Sequence, residues 1–130
     1  MPRFKWDNKS YNNPVELALD LIGGKWKMPI LWRLKDRPWR YNELRRELDR
    51  ITHKMLTEQL RELEYHGLVH RDVKQAVPPH VEYSLTVEGE RTISVIETLR
   101  DFGKSYLDRN QKGPPGLNHG RTGTASAAEP

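Results

Sequence analysis

Between residues 13 and 109 the apolar side chains of this chain change period twice. Up to residue 66 they recur three and four positions apart, as on the buried stripe of a helix. From Leu68 the spacing drops to two: "LVHRDVKQ" and "HVEYSLT" flank "AVPP", and Val81, Tyr83 and Leu85 alternate as strand residues do. After Thr86 the helical spacing returns. The chain is therefore expected to be mainly α with a small β-hairpin whose loop contains prolines.

Local signals divide the helical part. Asn13 caps a first helix with Pro14 at its first position and Glu16 at the capping-box spacing, and Gly23-Gly24 stops it. A second is read from Trp26 to Lys35, with Pro29 tolerated in the first turn, and a third from Tyr41 to Leu48, where Tyr41, Leu44 and Leu48 share one stripe. Thr52 caps a fourth, "THKMLTEQLRELEYHG", in which Leu56, Leu60 and Leu63 face inward and Gly67 supplies the left-handed stop. At about 100° per residue, Lys54, Thr57, Glu58 and Arg61 then point outward. Thr86 caps a last helix running to Arg109. Residues 1–12 form an amino-terminal arm, ordered only if its aromatic rings find a surface, and residues 110–130, rich in Gly, Pro, Ser, Thr and Ala, form a disordered tail.

With 130 residues the chain has about one domain's worth of core. It holds no cysteine, so disulfides, thiolate metal sites and thiol switches are absent together. Lys and Arg number 22 against 18 Asp and Glu, a net charge of +4, which favours an anionic partner only mildly. Apolar runs fall far short of the roughly 20 residues that span a bilayer, and "MPRFKWDNKS" lacks a signal-peptide apolar region, so a cytoplasmic protein without a membrane partner is expected.

Two short helices joined by a tight turn immediately before a hairpin, with helices on either side, is the order of a winged helix-turn-helix, in which one helix braces a second that lies in the major groove of double-stranded DNA. The same topology serves as a protein- or RNA-interaction module elsewhere, and the order of elements does not choose. A resemblance does. "IGGKW" at 22–26, "RYNELRREL" at 40–48, "ITHKMLTEQLRELEYHGLVHRD" at 51–72 and "VPPHVEYSLTVEG" at 77–89 together resemble the HxlR-type family of bacterial transcription regulators, in register over about residues 13–107. That resemblance implies a homodimer that binds inverted-repeat operators. It also implies that the position before "PVE", a cysteine in thiol-sensing members, is Asn13 here, so any effector acts by other chemistry.

The residues expected at DNA are Thr52, His53, Lys54, Thr57 and Arg61 on the fourth helix, with Lys54 and Thr57 reaching bases and Thr52 chiefly capping. Arg40, Tyr41, Asn42 and Arg45 open the third helix, where backbone phosphate is normally met, while Arg46 and Arg50 are candidates for ion pairs with Glu43, Glu47 or Asp49. At the wing stand Arg71, Lys74 and His80; relatives often carry arginine in place of His80, so the wing's grip is expected to depend on pH. Trp26 and Trp32 read as packing, with an effector cavity as the sharper alternative.

Catalysis and metal or cofactor chemistry are not expected. His66 and His70 are four apart, but Gly67 interrupts the helix between them, and His70 and His80 do not face each other if Gln75 pairs with His80. The last helix carries more apolar surface than one small core needs. Ile93, Ile96, Leu99, Phe102 and Tyr106, with Leu17 of the first helix and Trp6 and Tyr11 of the arm, are expected to form a two-fold interface that presents two recognition helices about 34 Å apart.

Overall fold

The computed structural model describes residues 2–116. The amino-terminal arm folds as a hairpin. Strands β1 (Phe4–Trp6) and β2 (Lys9–Tyr11) pair antiparallel, with Phe4 opposite Tyr11 and their rings stacked at 5.4 Å. The turn between them is Asp7-Asn8, both at positive φ (51° and 63°), the conformation that a two-residue hairpin of matching twist needs and that Asp and Asn tolerate best.

Helix α1 (Pro14–Ile22) starts as its residues predict, with the Asn13 side-chain oxygen accepting the Glu16 backbone N–H at 3.1 Å. The Glu16 carboxylate reaches back one residue further than a capping box, to the Asn12 N–H at 2.7 Å. Helix α2 (Lys27–Leu34) follows, then α3 (Tyr41–Glu47) and α4 (His53–Tyr65). Gly67, at φ 73°, ends α4 in the left-handed region. Ahead of α3 lies a two-residue strand, β3 (Trp39–Arg40), too short to leave a period in the sequence. It pairs with β5 (His80–Leu85), which pairs with β4 (Val69–Lys74), giving a three-stranded antiparallel sheet of order β3-β5-β4. In the wing Lys74 pairs with His80, one residue earlier than the Gln75 pairing expected from the sequence, so the loop is 75–79; His70 lies opposite Ser84.

Thr86 caps as expected, but the helix that follows is broken. A four-residue α5 (Val87–Glu90) precedes α6 (Thr92–Arg109). The chain divides into two compact units after Ile96. In the first, Ile30, Leu31 and Leu34 of α2 meet Leu44 of α3, Leu56, Leu60 and Leu63 of α4, and Val69 and Tyr83 of the sheet in one core, closed by Ile96. Lys27 is buried in it too, and its ammonium is satisfied by the Glu62 carboxylate at 2.6 Å. Trp26, Trp32 and Trp39 pack against this core and carry Lys25, Lys35 and Arg37 over their rings, at 5.0, 4.5 and 4.1 Å.

The second unit holds the rest of α6, where Phe102 and Tyr106 adjoin at 6.4 Å and the Asn110 side-chain amide donates to the Tyr106 carbonyl at 2.9 Å. Of the tail expected from residue 110, positions 117–130 lie outside the described residues.

Candidate nucleic-acid interface

Thr52 stands one residue before α4 with extended backbone, and its hydroxyl oxygen accepts the Met55 N–H at 3.1 Å. The cap holds the first turn of α4 at the surface, where Thr52, His53 and Lys54 are exposed. Thr52→Ala is expected to remove about 1 kcal/mol of stability, read as a lowered midpoint of urea unfolding.

This turn forms one wall of a recess of about 870 Å³. The start of α3 supplies Arg40, Tyr41, Asn42 and Arg46; α4 supplies His53, Thr57 and Arg61; the sheet and its loop supply Arg71, His80 and Tyr83. Eight residues singled out from the sequence thus line one concavity. Arg45, Thr52, Lys54 and Lys74 lie outside its lining, and Arg46, a candidate for an ion pair from the sequence, lies inside. The partners suggested for Arg46 are engaged elsewhere: Glu43 by Arg37 at 3.2 Å, Glu47 by Arg33 at 3.8 Å and Asp49 by Arg50 at 3.7 Å.

Four arginines share the recess with two carboxylates, Glu43 and Glu64. Glu43 is already occupied: the Arg40 backbone N–H bonds it at 2.8 Å and, with the Arg37 guanidinium, holds its carboxyl below the usual range despite some desolvation. An ionised Glu43 paired with the Arg37 guanidinium opposes a polyanion less than its formal charge suggests. The recess is therefore electropositive although the whole chain carries only +4.

At the wing, cation supply differs from the sequence expectation. Lys74 pairs with Asp72 at 3.0 Å, which pushes the lysine pKa up and the aspartate's down. His80 is tied on both sides, Nε2 to Glu82 at 2.9 Å and Nδ1 to the Pro78 carbonyl at 3.1 Å. Arg71, opposite Tyr83 in the ladder, faces the recess itself.

Tyr41 belongs to a different class from its neighbours. Its hydroxyl is 2.6 Å from His53 Nδ1, 3.2 Å from the His53 carbonyl and 3.1 Å from Thr57 Oγ1, so it braces α4 from α3. Nothing in the sequence marked that bracing, because it joins residues 12 and 16 apart across a turn.

The residues expected at a two-fold interface separate into two sets. Tyr11 and Ile96 are buried within their own chain, with Tyr11 donating to Asp20 at 2.7 Å, a carboxylate that raises the phenol to about 12. Ile93 packs partly against the core, Leu17 is half-buried, and Trp6 tilts toward His66 at 5.8 Å but stays exposed. Leu99, Phe102 and Tyr106 remain exposed, joined by Val95, which the sequence reading had passed over.

Known proteins share both the sequence and this architecture. The HTH-type transcriptional regulator YdeP of Bacillus subtilis (strain 168) is 52% identical over 99 residues, covering 76% of this chain and 77% of YdeP. An HTH-type transcriptional regulator of Methanothermobacter thermautotrophicus (strain ATCC 29096 / DSM 1053 / JCM 10044 / NBRC 100330 / Delta H) is 48% identical over 92 residues, 71% of this chain and 70% of that protein. The solved structure of the redox regulator HypR in its reduced form superposes with a TM-score of 0.70 at 48% identity, covering 74% of this chain and 95% of HypR. Matching the family's sequence profile across residues 21–111, and built as a mainly α winged helix-turn-helix, the chain belongs to the HxlR-like helix-turn-helix family.

Proposed function

We propose that this chain is a DNA-binding transcription regulator that acts as a homodimer on inverted-repeat operators, in the cytoplasm and at the nucleoid. The observation that carries the reading is the arginine-lined recess between the first turn of α4 and the wing. Its walls are set to follow phosphate while the exposed turn of α4 meets base edges. Lys54 and Thr57 contact bases from that turn, Arg40, Arg45, Arg46 and Arg61 follow the backbone, and Arg71 does so from the wing. Family membership supports the DNA-binding part of this assignment. The exposed stripe on α6 supports the dimer.

HypR is named a redox regulator, but this chain has no cysteine, so a thiol-based input does not carry over to it. Any effector acts through chemistry other than a cysteine thiol. Among the described residues no helix is long and apolar enough to cross a membrane.

The test is selection of bound fragments from random duplexes by the purified protein, followed by anisotropy titrations of the enriched duplex at two salt concentrations. An inverted repeat bound by two chains is expected, with Lys54→Ala losing about tenfold or more in affinity for it. Uniform, salt-labile binding to every duplex would leave a general nucleic-acid binder. No duplex binding at all would move a protein- or RNA-interaction module to first place.

A further inference from the structure

We infer that a second recess, between the amino-terminal hairpin and the carboxyl-terminal end of α4, is a binding site for a small organic cation with a methylated ammonium head. It shares no residue with the DNA-facing recess, and its occupancy does not depend on the DNA-binding reading.

The recess measures about 370 Å³, within the range of small-molecule sites. Trp6 of β1 and Tyr65 of α4 both adjoin the His66 ring, at 5.8 and 5.1 Å, and all three line it. Trp6 is 43% exposed and Tyr65 70%, so both rings keep surface for a ligand. The other tryptophans show what such a ring attracts in this chain. Trp26, Trp32 and Trp39 each carry a lysine or arginine over the ring, whereas among the described residues Trp6 carries no cation. Lys9, its partner across the hairpin, reaches toward Asp20 instead, at 3.7 Å.

The charge around Trp6 is negative. Asp7, Asp20 and Glu62 line the same recess. Lys27 matches Glu62 at 2.6 Å and Lys9 partly matches Asp20, but Asp7 meets the neutral Tyr65 hydroxyl at 3.1 Å and no cation among the described residues. The two phenols hold their protons, with Asp20 pushing Tyr11 up to about 12 and Asp7 raising Tyr65, so neither one cancels a carboxylate's charge. The last turn of α4 adds to the field: it contains Glu62 and Glu64 and no basic residue, at the negative end of the helix dipole.

Rings and carboxylates together select the kind of cation. Among the described residues no three carboxylate or imidazole groups converge as a metal ion requires. A cation whose charge is spread over methyl groups gives up its water more readily than a bare ammonium and gains from an aromatic face, while a nearby carboxylate balances its charge. A ligand held here would touch α4 directly, because Tyr65 and His66 line this recess and His53 and Thr57 the other.

The test uses the full chain and three probes that share a benzyl group: benzyltrimethylammonium, neutral benzyl alcohol and anionic phenylacetate, titrated at constant ionic strength. Binding is read from the nitrogen-15 indole signals, with Trp6 assigned through Trp6→Phe. The cation is expected to shift the Trp6 signal saturably and to bind at least about tenfold tighter than either comparator. Asp7→Asn keeps a residue that tolerates the positive φ of the turn and keeps an oxygen for Tyr65, so it removes the charge alone. It is expected to weaken the cation about fivefold with Tm unchanged. Lys9→Ala removes a competing charge and is expected to tighten binding about threefold, a gain that a merely structural change would not produce. No saturable shift of Trp6, equal binding of benzyl alcohol, or an affinity that ignores both Asp7→Asn and Lys9→Ala would overturn the inference.

Discussion

Gly89→Ala is expected to destabilise the protein by about 3 kcal/mol, a large part of the roughly 5–15 kcal/mol that holds a domain of this size together. A Cβ built on Gly89 would lie 2.0 Å from the Leu68 carbonyl oxygen and 3.0 Å from its carbon, distances no side chain can absorb because the obstacle is backbone. Nor is the carbonyl free to swing. It accepts the Thr86 N–H at 3.2 Å, and the Thr86 hydroxyl donates to the Gly67 carbonyl at 2.6 Å while accepting the Gly89 N–H at 2.9 Å. The glycine is thus one member of a closed set of bonds that clamps α5 against the start of β4. Equilibrium urea unfolding would measure the loss, and a midpoint within a few tenths of a molar of the wild type would mean that α5 can move away without penalty. Because β4 is one arm of the wing, DNA affinity is expected to fall even where Gly89→Ala remains folded.

The same corner shows what a sequence can and cannot disclose. Asn13, Thr52, Thr86 and Gly67 act on backbone within three or so residues, and each does what its chemistry predicts. The break between α5 and α6 has no such signature. No residue from Val87 to Thr92 is a strong helix breaker other than Gly89, and the role of Gly89 depends on Leu68, 21 positions earlier. Strands β1, β2 and β3, of three, three and two residues, are too short to show a period, although Asp7-Asn8 was a readable turn signal. The recess is intermediate. Its α4 members follow from the helical wheel, but Arg46 could be separated from an ion pair only by seeing Glu43 and Glu47 taken by Arg37 and Arg33.

The apolar stripe of the last helix carries the second large expectation. From the sequence, Ile93, Ile96, Leu99, Phe102 and Tyr106 form one face, yet they divide between a core position and exposed ones. Ile96, only 3% exposed, completes the core, so Ile96→Glu would place a charge among leucines and unfold the protomer without informing on assembly. Val95, Leu99, Phe102 and Tyr106 are 46, 48, 69 and 47% exposed, and their spacing of four, three and four residues is that of a helix-helix seam. Phe102→Glu is therefore the informative change. It costs the isolated protomer almost nothing, since the ring is in water there. In the proposed two-fold dimer it would remove an aromatic contact from both chains and set two like charges into one apolar interface. The mass by light scattering is expected to halve, and affinity for an inverted repeat to fall by about 10²–10⁴, since a monomer forfeits the effective concentration that a tethered second half-site provides. Affinity for a single half-site should hold, because α4 and the wing are untouched. A Phe102→Glu protein that stays dimeric would shift the interface to other exposed apolar residues, such as Val15 and Leu19 of α1.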